Sequence, residues 1–131
     1  MAREILFKAN RLDNGEWVEG YYAVAIDKRG LKQHNILVAD HHLGYFKWFD
    51  IGKKTLCQYT GLTDKNGNKI WENDVVKDTE GNIYKCYWCS CNCEYMLDDG
   101  VESFGIGYRS EKELEVIGNT FDNPELLGGG E

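Results

Sequence analysis

The chain has 131 residues, of which 42% are hydrophobic, enough to build one compact domain or two small subdomains with a moderate core. Fifteen Lys and Arg against 22 Asp and Glu give a net charge of −7, which repels a phosphate backbone unless the basic residues are segregated. No run approaches the roughly 18 to 20 apolar residues of a membrane span, and no apolar stretch of signal-peptide length opens the chain, so a cytoplasmic protein without a membrane association is expected.

In chain order, nearly every local signal is for strand. Ile5 to Leu12 and Trp17 to Ile26 flank Asp13-Asn14-Gly15, which predicts a β-hairpin with one buried face. Lys28, Arg29 and Lys32 cluster around Gly30 and mark a solvated turn, as do Lys53 and Lys54 further on. Ile36 to Ala39 is a short apolar run, whereas His41 to Asp50 mixes aromatics and small residues without periodicity and reads as irregular. Asn66-Gly67 is the pair favoured where both central residues of a hairpin turn need positive φ, between the strand formers Tyr59, Leu62, Ile70 and Trp71. Asn73 is a second positive-φ candidate, just before Asp74-Val75-Val76.

Thr79 to Asn82 then turns the chain into Ile83 to Ser90, and Asp98-Asp99-Gly100 turns it again towards Val101 to Tyr108. Turn signals roughly every 8 to 12 residues predict an all-β, mainly antiparallel barrel or sandwich, and Asp74 to Gly118 has the layout of a small SH3-like barrel. Helix is confined to short pieces. Ser110 to Glu113 fits a capping box, and Asn123-Pro124-Glu125-Leu126-Leu127 predicts a helical turn, with Asn as cap and Pro at the first position. Residues 128–131 form a glycine-rich tail expected to be flexible.

Three segments carry a family pattern: REILFKANRLDNGEWVEGYY at the start, LCQYTGLTDKNGNKIWENDVV in the middle and EVIGNTFDNPELL at the end. Together they resemble the YopX family of phage and prophage proteins, while Ala25 to Lys54 carries little of the pattern. Two positions depart from it. Cys57 stands where the family commonly has Gly, and Asn73 replaces the Gly before Asp74; Asn is the non-Gly residue that best tolerates the left-handed region. The resemblance implies one YopX-like domain over residues 1–127, divisible at 1–57 and 58–127, with an N-terminal hairpin region, in a bacterial host's cytoplasm. It assigns no residue a chemical role.

The cysteines are the strongest chemical motif, because Cys86, Cys89, Cys91 and Cys93 fall within eight residues. A tetrahedral zinc thiolate site brings sulfurs roughly 3.8 Å apart. On a continuous strand Cys89 and Cys93 would be about 13 Å apart at Cα, so a site requires the strand to break around Ser90 to Asn92. Reduced thiols in a partly buried strand are the simpler reading. Adjacent His41 and His42 would face opposite sides of a strand, His34 is isolated, and Cys57 has no histidine at a suggestive spacing. Asp98-Asp99 and Glu111 to Glu115 suit solvated turns better than acid–base chemistry, and Gly105-x-Gly107 is too short for a phosphate loop. No catalytic, cofactor-binding or metal-binding residue is therefore assigned, and no cofactor is expected.

Aromatic residues occur in pairs, Tyr21-Tyr22, Trp48-Phe49 and Tyr87-Trp88, so strand geometry predicts one ring inward and one outward in each. That outward set points to a protein-binding or self-assembling module, a homo-oligomer among the expected forms. The alternative is a small barrel that stacks single-stranded nucleic acid, which requires a basic groove; duplex DNA is disfavoured by charge. An acidic mimic of DNA is a variant of the first class, and an enzyme is the least supported reading.

Overall fold

The asparagine before Asp74 lies in the left-handed region as its sequence context predicts, with φ +70° at Asn73. The computed structural model describes residues 4–108 and 112–128. Its backbone is mainly antiparallel strand and divides into two units, Met1–Tyr59 and Thr60–Glu131.

The first unit contains β1 (Phe7–Asn10), β2 (Trp17–Ile26), β3 (Lys32–Asp40), β4 (Tyr45–Asp50) and the start of β5 (Cys57–Thr63), paired in the order β4-β3-β2-β1-β5. The expected N-terminal hairpin is β1–β2, with Phe7 opposite Gly20 and Asn10 opposite Trp17. β4 corrects the irregular reading of His41 to Asp50, since Tyr45 to Asp50 pairs in full register with Asp40 to Asn35. It escapes a periodicity test because the strand is exposed on both faces except at Phe49, so burial imposes no alternation. An Arg11–Ile51 bridge ties the end of β4 back to β1, supported by Leu12 N–H donating to Asp50 O at 2.9 Å and Gly52 N–H to Asn10 O at 3.1 Å. The strands thus curl over a core of Ala9, Ile36 and Ile51, packed by Phe7, Val18, Tyr22, Val38 and Leu56. Gly20 permits this curl: a Cβ there would lie 2.2 Å from the Leu37 carbonyl oxygen.

The second unit holds the end of β5 and β6 (Lys69–Trp71), with Thr60 Oγ1 donating to Ile70 O at 2.7 Å. Its five-stranded sheet runs β10-β9-β8-β7-β11, where β7 is Asp74–Lys77, β8 Ile83–Cys89, β9 Glu94–Asp98, β10 Ser103–Gly105 and β11 Glu115–Asn119. Val76, Tyr84, Cys86, Leu97 and Leu114 bury one face together with Ile70. Of the SH3-like barrel expected for Asp74 to Gly118, the five strands are present but no closed barrel is formed among the described residues. β10 and β11 lie at opposite edges of an open sheet, and no pairing joins them among the described residues. The last element is α1 (Glu125–Gly128), a single turn where one was expected. Asn123 does not cap it with its side chain, which accepts from Asn119 N–H at 3.3 Å, while its carbonyl accepts from Leu126 N–H. The start of the capping box at Ser110 falls outside the described residues, as does the expected tail of residues 128–131 except for Gly128, which ends α1.

One loop design recurs three times, at Asp27–Leu31, Asp64–Asn68 and Asp78–Asn82. In each the first carboxylate accepts from the N–H groups two and four residues on, at 2.8 to 2.9 Å, and the fourth residue is a glycine at φ +84° to +90°. This is a three-residue hairpin loop in which only the glycine needs positive φ. It corrects the reading of Asn66-Gly67 as a two-residue turn, because Asn66 is not in the left-handed region.

Candidate functional site

The register across β2, β3 and β4 sets Tyr21 opposite Leu37 and Leu37 opposite Trp48, with Phe46 opposite Ala39. Paired residues share a face, so Tyr21, Leu37, Ala39, Phe46 and Trp48 stand together on the side away from Ile36 and the core. Three rings there remain open to solvent: Tyr21 is 54%, Phe46 44% and Trp48 58% exposed. Tyr21 and Phe46 meet edge to face, ring centroids 6.2 Å apart. The polar margin is ordered by Asn35, which is buried and donates from Nδ2 to Asp50 Oδ1 at 2.7 Å.

Shallow concavities flank β4 at both ends. One, about 410 Å³, is lined by Arg11, Leu12, Asp13, Trp48, Phe49 and Asp50. Arg11 lies over the Phe49 ring at 4.4 Å and grips Asp13 through Nε at 3.0 Å and Nη2 at 2.6 Å, which holds the Asp13 carboxyl below the usual range. Its charge is therefore engaged within the chain. The other, about 260 Å³, lies where β3 turns into β4 and is lined by residues such as His41 and Tyr45. Nearby Lys47 Nζ is 3.3 Å from Asp40 Oδ2. The Asp40 carboxyl is held below its ordinary value, first by the Leu43 N–H and then, against burial, by Lys47 and the His42 N–H.

Two aromatic pairs behave as strand geometry predicts, Tyr21 and Trp48 outward with Tyr22 and Phe49 more covered. Tyr22 turns to His34, its hydroxyl 2.6 Å from Nδ1. The third pair differs. Trp88 is 45% exposed although it shares the face of Tyr84 and Cys86, because it sits near the end of β8, edge-on to Tyr95 with centroids 5.0 Å apart.

The cysteines are dispersed by environment. Cys86 is buried in the core, Cys89 ends β8, and Cys91 and Cys93 are exposed in the turn that leads to β9. The strand does break at Ser90 to Cys93, in contrast to a continuous strand. Among the described residues no group of three or more His, Cys, Asp or Glu is arranged to hold a metal ion. Cys93 has φ +53°, the conformation that Gly15 and Gly44 supply in the turns after β1 and β3. Cys57 is buried with its Sγ 3.3 Å from Thr55 O, so the departure from the family's glycine is packed rather than strained. His41 and His42 lie in the β3–β4 turn and not on a strand. Asp99 Oδ1 accepts from Val101 and Glu102 N–H at 2.8 and 2.9 Å, a turn-forming role. The face on β2–β4 was only partly legible in the sequence, since its third strand lacks alternation; the YFKWF run itself was the available signal.

Among the described residues two antiparallel sheets, one short α-helix and an aromatic sheet face define an all-β protein, and no helix there is long and apolar enough to cross a membrane. A family model described as YopX protein matches residues 6–128, and the chain belongs to the YopX family. Among solved structures, protein EF1440 from Enterococcus faecalis is similar at a TM-score of 0.58 with 22% identity, over 97% of this chain and 100% of that one. Protein yopX from Bacillus subtilis is similar at a TM-score of 0.54 with 16% identity, over 99% of this chain and 100% of that one. These likenesses concern the fold. No curated protein matches the chain.

Proposed function

We propose that this is an accessory protein of phage or prophage origin, working in the bacterial cytoplasm by holding a protein surface, its own or another's, and not by catalysis. Membership of the YopX family supports the proposed origin. The binding reading rests on one observation: Tyr21, Phe46 and Trp48 stand half exposed on one sheet face, at positions that burial in their own core does not use. Large rings clustered at a surface with a polar margin are what protein interfaces use as anchors. A single-strand nucleic-acid platform would need cations beside the rings, whereas Lys47 is held by Asp40 and Asp50 borders the same face.

The test is quantitative capture from host lysate, with and without nuclease, comparing wild type with Trp48→Glu and with Trp88→Glu as a control in the second unit. Proteins captured by wild type and Trp88→Glu but lost by Trp48→Glu, independent of nuclease, support the reading. Capture that is unchanged by Trp48→Glu, or that disappears with nuclease, contradicts it.

A further inference from the structure

Sheet edges in this protein are guarded unequally. β6 and β10 are three residues long, and β11 is interrupted by a register shift between Val116 and Gly118. Such features keep an edge from recruiting a foreign strand. β4 has none of them: it runs six residues without proline or register shift, and all but Phe49 are exposed. Its charges are already engaged within the chain, Lys47 by Asp40 at 3.3 Å and Asp50, at the strand's end, by Asn35 Nδ2 at 2.7 Å.

Backbone direction shows which groups this edge offers. Ile51 N–H bonds back to His34 O on β3 at 3.1 Å, while the Asp50 carbonyl points the other way and takes Leu12 N–H. Strand alternation then turns the N–H and C=O of Trp48 and Phe46 outward as well, away from β3. Beyond Asp50 the edge is closed by Leu12. Before it, the outward N–H and C=O of Trp48 and Phe46 have no backbone partner among the described residues, although Arg11 to Asp13 line a concavity beside Trp48.

Resting on the reading of this chain as a binding module, we propose that the open edge of β4 pairs antiparallel with β4 of a second copy, about a two-fold axis at Lys47. This register sets Phe46 opposite Trp48 of the second copy, and the reverse, so each pair exchanges both N–H···O=C bonds through groups that already face outward. On the outer face it makes cross-strand Phe–Trp pairs beside Tyr21, the kind of contact that stabilises a sheet. The two Lys47 side chains meet at the axis, but each arrives with its own Asp40, which offsets their repulsion; Asp50, hydrogen-bonded to Asn35, stands at the end of the strand away from the axis. The three exposed rings of β4, Tyr45, Phe46 and Trp48, offer roughly 300 Å² per copy from full areas of 150–250 Å² each. A standard interface uses about 800 Å² per partner, and backbone and turn atoms supply part of the difference, so a weak, concentration-dependent dimer is the expected product.

Sedimentation equilibrium over a wide concentration range tests this on the full chain. The average mass should rise from the 15.0 kDa of one chain towards twice that value. Trp48→Glu, at an exposed position, should keep the far-UV spectrum and abolish the rise; Lys47→Leu, which removes the charge at the axis, should shift the midpoint to lower concentration. A dimer that persists in Trp48→Glu overturns the β4 assignment while leaving self-association in place. A wild-type monomer at every concentration overturns the second copy as occupant. In that case the lysate capture decides the binding reading separately, which survives if Trp48→Glu loses specific partners and fails if it loses none.

Discussion

Asp64 Oδ2 accepts a hydrogen bond from the Val116 N–H at 2.9 Å, although 52 positions separate the two in the chain. The same side chain organises its own loop through Asn66 and Asn68, and the Lys65 N–H reaches Leu114 O at 2.9 Å. One carboxylate therefore ties the β5–β6 loop to the start of β11. Burial pushes its pKa up, but the Val116, Asn68 and Asn66 hydrogen bonds more than offset that and hold it below 3.8. Asp64→Ala removes the acceptor from these N–H groups, and a loss of about 2 to 3 kcal/mol in urea unfolding is expected, since leaving buried donors unpaired costs ~1–3 kcal/mol each where water cannot replace the partner.

The same carboxylates set the acid limb of stability. Asp78 resembles Asp64, with burial raising its pKa and the Asn82 and Tyr84 hydrogen bonds holding it below 3.8 overall. A carboxyl depressed in the folded state stabilises the fold above its unfolded pKa, and that contribution is lost as pH falls through the folded value. Stability should therefore be level with respect to these two groups at neutral pH and decline below 3.8. Urea midpoints measured from neutral to strongly acidic pH should show that decline, smaller in Asp64→Asn; equal acid limbs in the two proteins would contradict the assignment.

Left-handed positions give a pair of opposite expectations. Cys93, at φ +53°, should accept glycine with no loss and up to ~1 kcal/mol gain, because the non-glycine residue resists this region by ~1–2 kcal/mol and glycine's greater unfolded-state entropy offsets part of that. Asn73→Gly should be neutral or mildly stabilising, whereas Asn73→Val should cost roughly 1 to 2 kcal/mol. Thermal melts of the three variants check this, and a valine tolerated as well as glycine at 73 would show that the turn has another basis.

Gly20 is constrained by space and not by φ. A Cβ placed there meets the Leu37 carbonyl oxygen at 2.2 Å, and that oxygen belongs to the neighbouring strand. Gly20→Ala should destabilise the first unit by about 3 kcal/mol or more, above the usual 1–3 kcal/mol of overpacking, because backbone must move. A denaturation midpoint equal to wild type would mean that β2 and β3 can separate locally at little cost.

Legibility in the sequence followed the strength of the local physical constraint. Gly15 and Asn73 marked turns correctly, because positive φ restricts residue choice wherever it occurs. Asn66-Gly67 marked the right hairpin with the wrong loop, since Asp64 sets a five-residue hydrogen-bonded frame that a dipeptide reading does not contain. β4 reads as irregular in the sequence because period-two patterning arises from burial, and Tyr45 to Trp48 are buried on neither face. Asp74 to Gly118 yielded its strands but not their closure, because whether β10 meets β11 depends on non-local pairing that turn spacing does not encode. The candidate surface was visible as paired aromatics. Its position was not, since Trp88 is exposed by standing near a strand end and not by facing away from the core.

The β4 edge beneath the aromatic face is the proposed point of contact. Residue-resolved amide hydrogen exchange reads it directly. In dilute protein the outward amides of Phe46 and Trp48 should exchange much faster than the inward amide of Phe49, which alternation directs to β3; raising the concentration should slow Phe46 and Trp48 selectively. Phe46 and Trp48 amides as protected as Phe49 in dilute protein, or rates that do not change with concentration, would rule out β4 as a free, self-pairing edge.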